Sequence, residues 1–190
     1  MPGAFSHCGA AGLAPGELKA LVRAVPDFPA KGIQFRDVTT LIDHPDGFRA
    51  TVDWLASHAI ESGATKIAGM EARGFIFGAA VAAVTKLGFV PVRKAGKLPV
   101  PVISADYDLE YGNDSLELDP SLIEAGSKVA IVDDLMATGG TACAAIELLR
   151  KAGAAVTCAA FVIELPDLGG RARVAGLDVP VHALMQFAGE

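Results

Sequence analysis

The chain has 190 residues, a length that fits one domain and leaves little room for a second. It is 52% hydrophobic and 20% charged, so it carries enough apolar surface for a packed core, and wholesale disorder is excluded. The formal charge of −6 argues against broad nucleic-acid binding and against polybasic attachment to a membrane, but says nothing about an individual pocket.

The first sixteen residues, rich in alanine and glycine, are expected to form an N-terminal extension, with residues 17–190 as a single domain. That opening stretch lacks the basic region and long apolar run of an export signal. A short helix is expected from Pro15, with Leu18, Leu21, Val22 and Val25 at helical spacing. Pro26 and Pro29 end it and open an extended, turn-rich stretch to Asp37. Residues 46–61 predict a helix, 66–70 a short buried strand, 74–87 a helix of small residues and 89–93 another strand. Residues 94–118 break this rhythm, and their ends predict a hairpin with a turn at Gly112-Asn113-Asp114. A strand at 128–132, a helix at 139–152, a strand at 156–163 and a closing apolar run at 181–187 complete the pattern.

Strands and helices alternating at this spacing predict an α/β fold, with a mostly parallel sheet covered by helices on both faces. In such sheets ligands sit beyond the carboxyl ends of the strands. The loops after Met70, Arg93 and Val132 are therefore the places to look for chemistry. Cys8, Cys143 and Cys158 are an odd, widely spaced set with no C-x-x-C, which excludes a disulfide framework and predicts a reducing, cytoplasmic setting. No Cys/His pair has zinc-ligand spacing, and no apolar run approaches the ~18 residues of a membrane span. His7, His44, His58 and His182 match no motif and are expected at surface or capping positions.

The most informative segment is Val129-Ala-Ile-Val-Asp133-Asp134-Leu-Met-Ala137-Thr138-Gly139-Gly140-Thr141, which runs into a helix. Glycines let backbone N–H groups approach an anion, Thr138 and Thr141 add hydroxyls, and a helix N-terminus adds partial positive charge. The loop thus predicts a cradle for a phosphate monoester, with Ala137, Thr138, Gly139, Gly140 and Thr141 around it. Asp133 and Asp134 would repel phosphate. They make better acceptors for sugar hydroxyls, or outer partners of a hydrated cation, further along the same ligand. The loop is neither a P-loop nor a dinucleotide fingerprint. A plain strand-to-helix turn capped by the two aspartates is the bland alternative; the order of strand, acidic pair and Thr-Gly-Gly-Thr favours the cradle.

This segment resembles the 5-phosphoribosyl 1-pyrophosphate (PRPP) motif of the type I phosphoribosyltransferases. Phe28-Pro-Ala-Lys-Gly-Ile-Gln-Phe-Arg-Asp37, Glu71-Ala-Arg-Gly-Phe75, Arg93-Lys-Ala-Gly-Lys97 and Leu109-Glu-Tyr-Gly112 are similar, in order and spacing, to the adenine-using members of that family. The resemblance runs from about Val25 to the C-terminus. It implies the family fold, with a small hood built from residues 17–40 and the C-terminal segment, and a flexible lid hairpin at 94–118. It further implies a purine-salvage reaction, adenine plus PRPP giving AMP plus pyrophosphate. Mg2+ would be held mainly by substrate oxygens, with no all-protein metal cage. A homodimer is implied too, in which some of the loop cations reach the neighbouring subunit's site. Nucleic acid and membrane are not expected partners.

Residue by residue, the resemblance places pyrophosphate at Arg73 and Gly74, with Arg93, Lys94 and Lys97 attracting further phosphate charge. It implies a cis peptide at Glu71–Ala72. A solvated loop is the bland reading of Arg93, Lys94 and Lys97, three cations within five residues. Gln34, Phe35 and Arg36 would shape the base site, Phe35 by stacking and Gln34 through its backbone. Related enzymes carry a small apolar residue where Gln34 stands and another aliphatic where Met136 stands. A Gln34 side chain turned inward would alter base preference. Glu110, in the lid with Tyr111, is the expected acid/base or charge-stabilising carboxylate; an exposed hairpin carboxylate is its alternative. Transfer to another purine, or PRPP sensing without chemistry, are the competing functions. A sensor would commonly add a DNA-binding segment, for which the opening residues are short and poor in basic side chains.

Overall fold

The computed structural model describes residues 13–109 and 112–188. In chain order it contains α1 (Pro15–Ala20), β1 (Arg23–Pro26), β2 (Gln34–Asp37), α2 (Thr39–Asp43), α3 (Pro45–Glu61), β3 (Lys66–Met70) and α4 (Arg73–Thr85). Then follow β4 (Gly88–Lys94), β5 (Ile103–Leu109), β6 (Gly112–Leu118), β7 (Lys128–Met136), α5 (Gly140–Lys151), β8 (Ala155–Glu164), α6 (Gly170–Ala175) and β9 (Val181–Gln186). Seven strands form one sheet in the order β5-β6-β4-β3-β7-β8-β9, and β1 pairs with β2 in a separate antiparallel ribbon. The strands from β4 to β9 across the sheet are parallel to their neighbours, while the β5–β6 hairpin joins antiparallel at the β4 edge.

The sheet is buried on both faces. Leu55, Ile67 and Phe77 pack on the side covered by α3 and α4, and Ile131, Ile146, Leu149 and Phe161 on the side covered by α5. This explains why β7 and β8 are nearly continuous apolar runs instead of alternating ones. The start of α3 is set locally: Pro45 occupies the first turn, and His44 Nδ1 accepts from the Gly47 N–H at 3.1 Å. His44 is thus a capping residue, as its position in the sequence implied.

Small residues bring α4 close to the sheet. A Cβ on Gly69 or Gly78 would fall 2.9 or 2.8 Å from Cε2 of Phe89, so the ring lies in a slot that only two glycines leave open. Gly78→Ala is therefore expected to overpack this contact and destabilise the fold by about 1–3 kcal/mol, read as a lowered denaturant midpoint with unchanged m-value. An unchanged midpoint would contradict this packing account.

Two sequence expectations shift. The helix from Pro15 ends at Ala20, and Val25 lies in β1, which pairs with β2 at the end of the turn-rich stretch. The hairpin turn does not fall at Gly112–Asp114. Leu109 pairs with Gly112 and Asp108 with Asn113, so Gly112 and Asn113 belong to β6. The pairing is anchored further along β6 by Leu116 and Leu118, whose burial fixes the register against the weaker turn propensity.

Candidate active site

The site begins where β7 outruns its neighbour. Pairing with β3 stops at Gly69–Val132, yet β7 continues to Met136 alongside β8. Asp133 and Asp134 therefore lie inside a strand, not after one, with their β3-side edge open. Residues from the start of α4 fill that edge. A Cβ on Gly74 would sit 3.1 Å from Asp133 Cγ and 3.2 Å from the Val132 carbonyl, so glycine is required for the aspartate to fit. Arg73 Nε donates to Asp134 Oδ2, and the Asp134 N–H donates to Asp133 Oδ1 at 2.9 Å. Both carboxyls are buried. Burial, followed by the neighbouring Asp134 charge, pushes the Asp133 carboxyl well above its ordinary value.

Beyond Met136 the chain turns into α5 through Gly139, whose φ of +77° lies in the left-handed region. A Cβ there would lie 2.9 Å from the Gly170 carbonyl oxygen, so the loop is pressed against the start of α6. No side chain caps α5. Its first N–H groups, which have no intrahelical acceptor, open toward a cavity of roughly 190 Å³. Thr138, Gly139, Gly140 and Thr141 line this cavity together with Asp133, and Met70 and Phe161 supply its apolar wall.

The loop between β3 and α4 carries the anticipated cis peptide at Glu71–Ala72. Arg93, expected to attract phosphate charge, is engaged with the neighbouring loop. Its Nε and Nη2 donate to the two Glu71 carboxylate oxygens at 3.3 and 3.2 Å, and its Nη1 donates to the Lys97 carbonyl at 2.9 Å. The same carboxylate accepts the Lys94 N–H at 3.2 Å. A carboxylate two residues before Arg73 captures the fork, and Arg93 becomes the tie between two loops. That hydrogen bonding lowers the Glu71 pKa below its ordinary value despite the opposing effect of burial. The Lys94 and Lys97 residues are exposed beside it.

The β1–β2 ribbon stands over these elements. Phe35 meets Phe28 edge-to-face at 5.1 Å between centroids, and the Arg73 guanidinium lies 5.6 Å from the Phe35 ring. Strand alternation puts Gln34 and Arg36 on the opposite face. Arg36 stacks on Phe187 at 4.6 Å and donates to the Ala188 carbonyl at 3.5 Å, drawing the C-terminal segment to the ribbon. Asp37 ends β2; hydrogen bonds from Thr39, then from Arg23, hold its carboxyl down to about 2.

The structure thus joins Phe35, Arg73, Gly74, Asp133, Asp134 and the 137–141 loop in one continuous surface. Glu71 ties Arg93, Lys94 and Lys97 to its rim. Glu110 and Tyr111 lie outside the described residues. Sequence reasoning missed Glu71 as an anchor, although it sits inside a quoted motif. It also missed Gly170, whose signal was the Gly169-Gly170 pair before an apolar-periodic stretch. Among the described residues no group of three or more His, Cys, Asp or Glu is placed to hold a metal, and no helix is long and apolar enough to cross a membrane.

A parallel sheet with an acidic strand end, an uncapped helix start and an aromatic hood defines a class of sugar-phosphate transferase. The phosphoribosyl transferase domain model matches residues 38–174, and the chain belongs to that family. Within it several curated relatives agree on the branch. An adenine phosphoribosyltransferase from Novosphingobium aromaticivorans is 63% identical over 173 residues, covering 91% of this chain and 97% of the relative. The crystal structure of adenine phosphoribosyltransferase from Rhodothermus marinus superposes with a TM-score of 0.86 at 46% identity, covering 91% and 98% of the two chains. The Saccharomyces cerevisiae enzyme, solved with adenine and an imino-altritol bisphosphate, gives 0.85 at 42% identity over 90% and 98%.

Proposed function

We propose that this protein transfers the phosphoribosyl group of PRPP to adenine, giving AMP and pyrophosphate. The observation that carries the reading is the juxtaposition of an uncapped α5 N-terminus with two buried carboxyls on β7. One end of that surface suits a phosphate and the other suits neutral sugar hydroxyls. The 5′-phosphate rests on Ala137, Thr138, Gly139, Gly140 and Thr141, and the ribose hydroxyls donate to Asp133 and Asp134.

Arg73 and the Gly74 backbone face the pyrophosphate, joined by Lys94 and Lys97 from the rim. Arg93 contributes through Glu71, holding both lysine-bearing positions in place. Adenine stacks on Phe35. Gln34 shares the Arg36 face of β2, so the base meets its backbone and the side chain leaves base preference untouched. Phe28 extends the aromatic wall, and Arg36 supports it through the C-terminal segment.

Transfer breaks the C1–pyrophosphate bond and forms the C1–adenine bond, with positive charge developing on the ribose. Water competes for that carbon, so closure by the 94–118 lid excludes it. Glu110 supplies a carboxylate for the purine nitrogens or the developing charge, and Tyr111 closes beside it. Replacing Glu110 with Ala is expected to lower kcat on the order of a hundredfold or more while leaving AMP binding intact; unchanged turnover would remove the assignment. Asp133 and Asp134 offer hard oxygens beside the sugar, which suits Mg2+ held by substrate and reached through water. When bound, Mg2+ would supply charge neutralisation for the departing pyrophosphate.

The cytoplasm is the setting that the cysteine pattern supports. A homodimer is supported by the outer face of α4, where Ile76, Ala79, Ala83 and Val84 are exposed at helical spacing. Incubating the protein with PRPP, Mg2+ and each nucleobase tests the reading. Adenine is expected to give AMP and pyrophosphate with the highest kcat/KM, and a faster reaction with hypoxanthine or xanthine would reassign the base.

A further inference from the structure

We infer that Arg171, pinned by Glu164, is a positioning residue that sets the shape of the 5′-phosphate loop from behind. This deepens the loop assignment above and rests on it. Glu164 is the last residue of β8 and is only 2% exposed. Its carboxylate accepts Arg171 Nε at 2.8 Å, Arg171 Nη2 at 2.5 Å and Gln186 Nε2 at 2.9 Å. The third guanidinium nitrogen donates to the Val181 carbonyl at 2.7 Å. The fork is therefore fixed to β8 and β9 together, a bidentate geometry that a lysine does not reproduce.

What the fork holds is the start of α6. Gly170 precedes Arg171, and a Cβ on Gly170 would fall 3.0 Å from the Gly139 nitrogen and collide with the Ala137 carbonyl oxygen. From the other side, Gly139 is closed in by the Gly170 carbonyl. Glu164 also pairs in register with Met136, the residue that enters the loop, and the Leu165 N–H donates to the Met136 carbonyl at 3.0 Å. Two contacts thus run from one ion pair to the loop: one along β7–β8, one through the α6 backbone. Neither touches the base ribbon; the link from Glu164 to it, the Phe187 N–H on the Glu164 carbonyl at 3.1 Å beside Arg36, is a backbone bond that does not pass through Arg171.

That separation gives the test. Loosening the clamp misplaces the amides that meet the non-reacting phosphate while leaving the adenine site alone. Calorimetric titration of AMP into Arg171→Ala is expected to show affinity lowered on the order of tenfold or more, with a parallel rise in the KM for PRPP and an unchanged KM for adenine. Arg171→Lys, which keeps the charge and loses the fork, moves both in the same direction by less, and serves if the alanine variant does not fold. Unchanged AMP affinity in the lysine and alanine variants, or equal rises in both KM values, would overturn the inference. Gly139→Ala run in parallel separates the two layers. If it loses AMP while the Arg171 variants do not, only the clamp is wrong; if it too keeps wild-type AMP affinity, the loop assignment falls and takes the clamp with it.

Discussion

Replacing Asp133 with asparagine is expected to raise the melting temperature of the free protein while removing most of its activity. Asp133 is buried beside Asp134, and burial together with that neighbour raises its carboxyl pKa far above the ordinary 3.8. A raised carboxyl pKa contributes stability below the unfolded value, and that contribution is lost as pH rises through the folded value. At neutral pH the group therefore opposes folding. Asparagine has the same shape and keeps an oxygen for the Asp134 N–H, but carries no charge. Relief of about 1 kcal/mol corresponds to ~2–4 °C in a chain of this size. The gain should disappear when melting is repeated well below pH 3.8, where the native side chain is protonated in both states. Loss of a charged acceptor for a ribose hydroxyl costs about 1.5–3 kcal/mol, on the order of tenfold to a hundredfold in kcat/KM. A lower melting temperature at neutral pH would show that the carboxylate is needed for the fold.

The second large effect belongs to Gly139. Alanine there meets two independent objections: a φ of +77°, and a Gly170 carbonyl oxygen 2.9 Å from the new Cβ. Either the loop shifts or α6 retreats. Both outcomes move the amides of Gly140 and Thr141, which begin α5 without a side-chain cap. AMP affinity is expected to fall on the order of a hundredfold, since a displacement of about 1 Å in a positioning loop has that scale of effect. The buried core of α5, built on Ile146, Leu148 and Leu149, lies further along the helix and should keep the fold intact. Circular dichroism and calorimetry on the same sample would separate these two readouts.

Local pattern carried much of this. The central strands announced themselves as apolar runs, and the order of Asp-Asp and Thr-Gly-Gly-Thr points to a sugar-phosphate end from chemistry alone. The strand ends were harder to read. Asp133 and Asp134 suggest a strand terminus because they are charged, yet β7 continues through them because β8 still pairs on one side. The hairpin turn was misplaced for the opposite reason: glycine, asparagine and aspartate signal a turn locally, but buried Leu116 and Leu118 fix a register that carries them into β6. That Arg93 also ties two loops is not legible in sequence, which does not show that Glu71 stands within hydrogen-bond reach. Glu164 and Arg171 lie seven residues apart with a turn between them, and nothing in that spacing marks an ion pair of a buried carboxylate behind the 137–141 loop.

The central claim is that one surface, from the α5 N-terminus to the β7 carboxyls, holds a sugar phosphate. A crystal structure of the protein with AMP tests it most directly. The phosphate is predicted against the amides of residues 138–141, the ribose hydroxyls at Asp133 and Asp134, and adenine over Phe35. AMP seated elsewhere, with the 137–141 loop empty, would contradict the account.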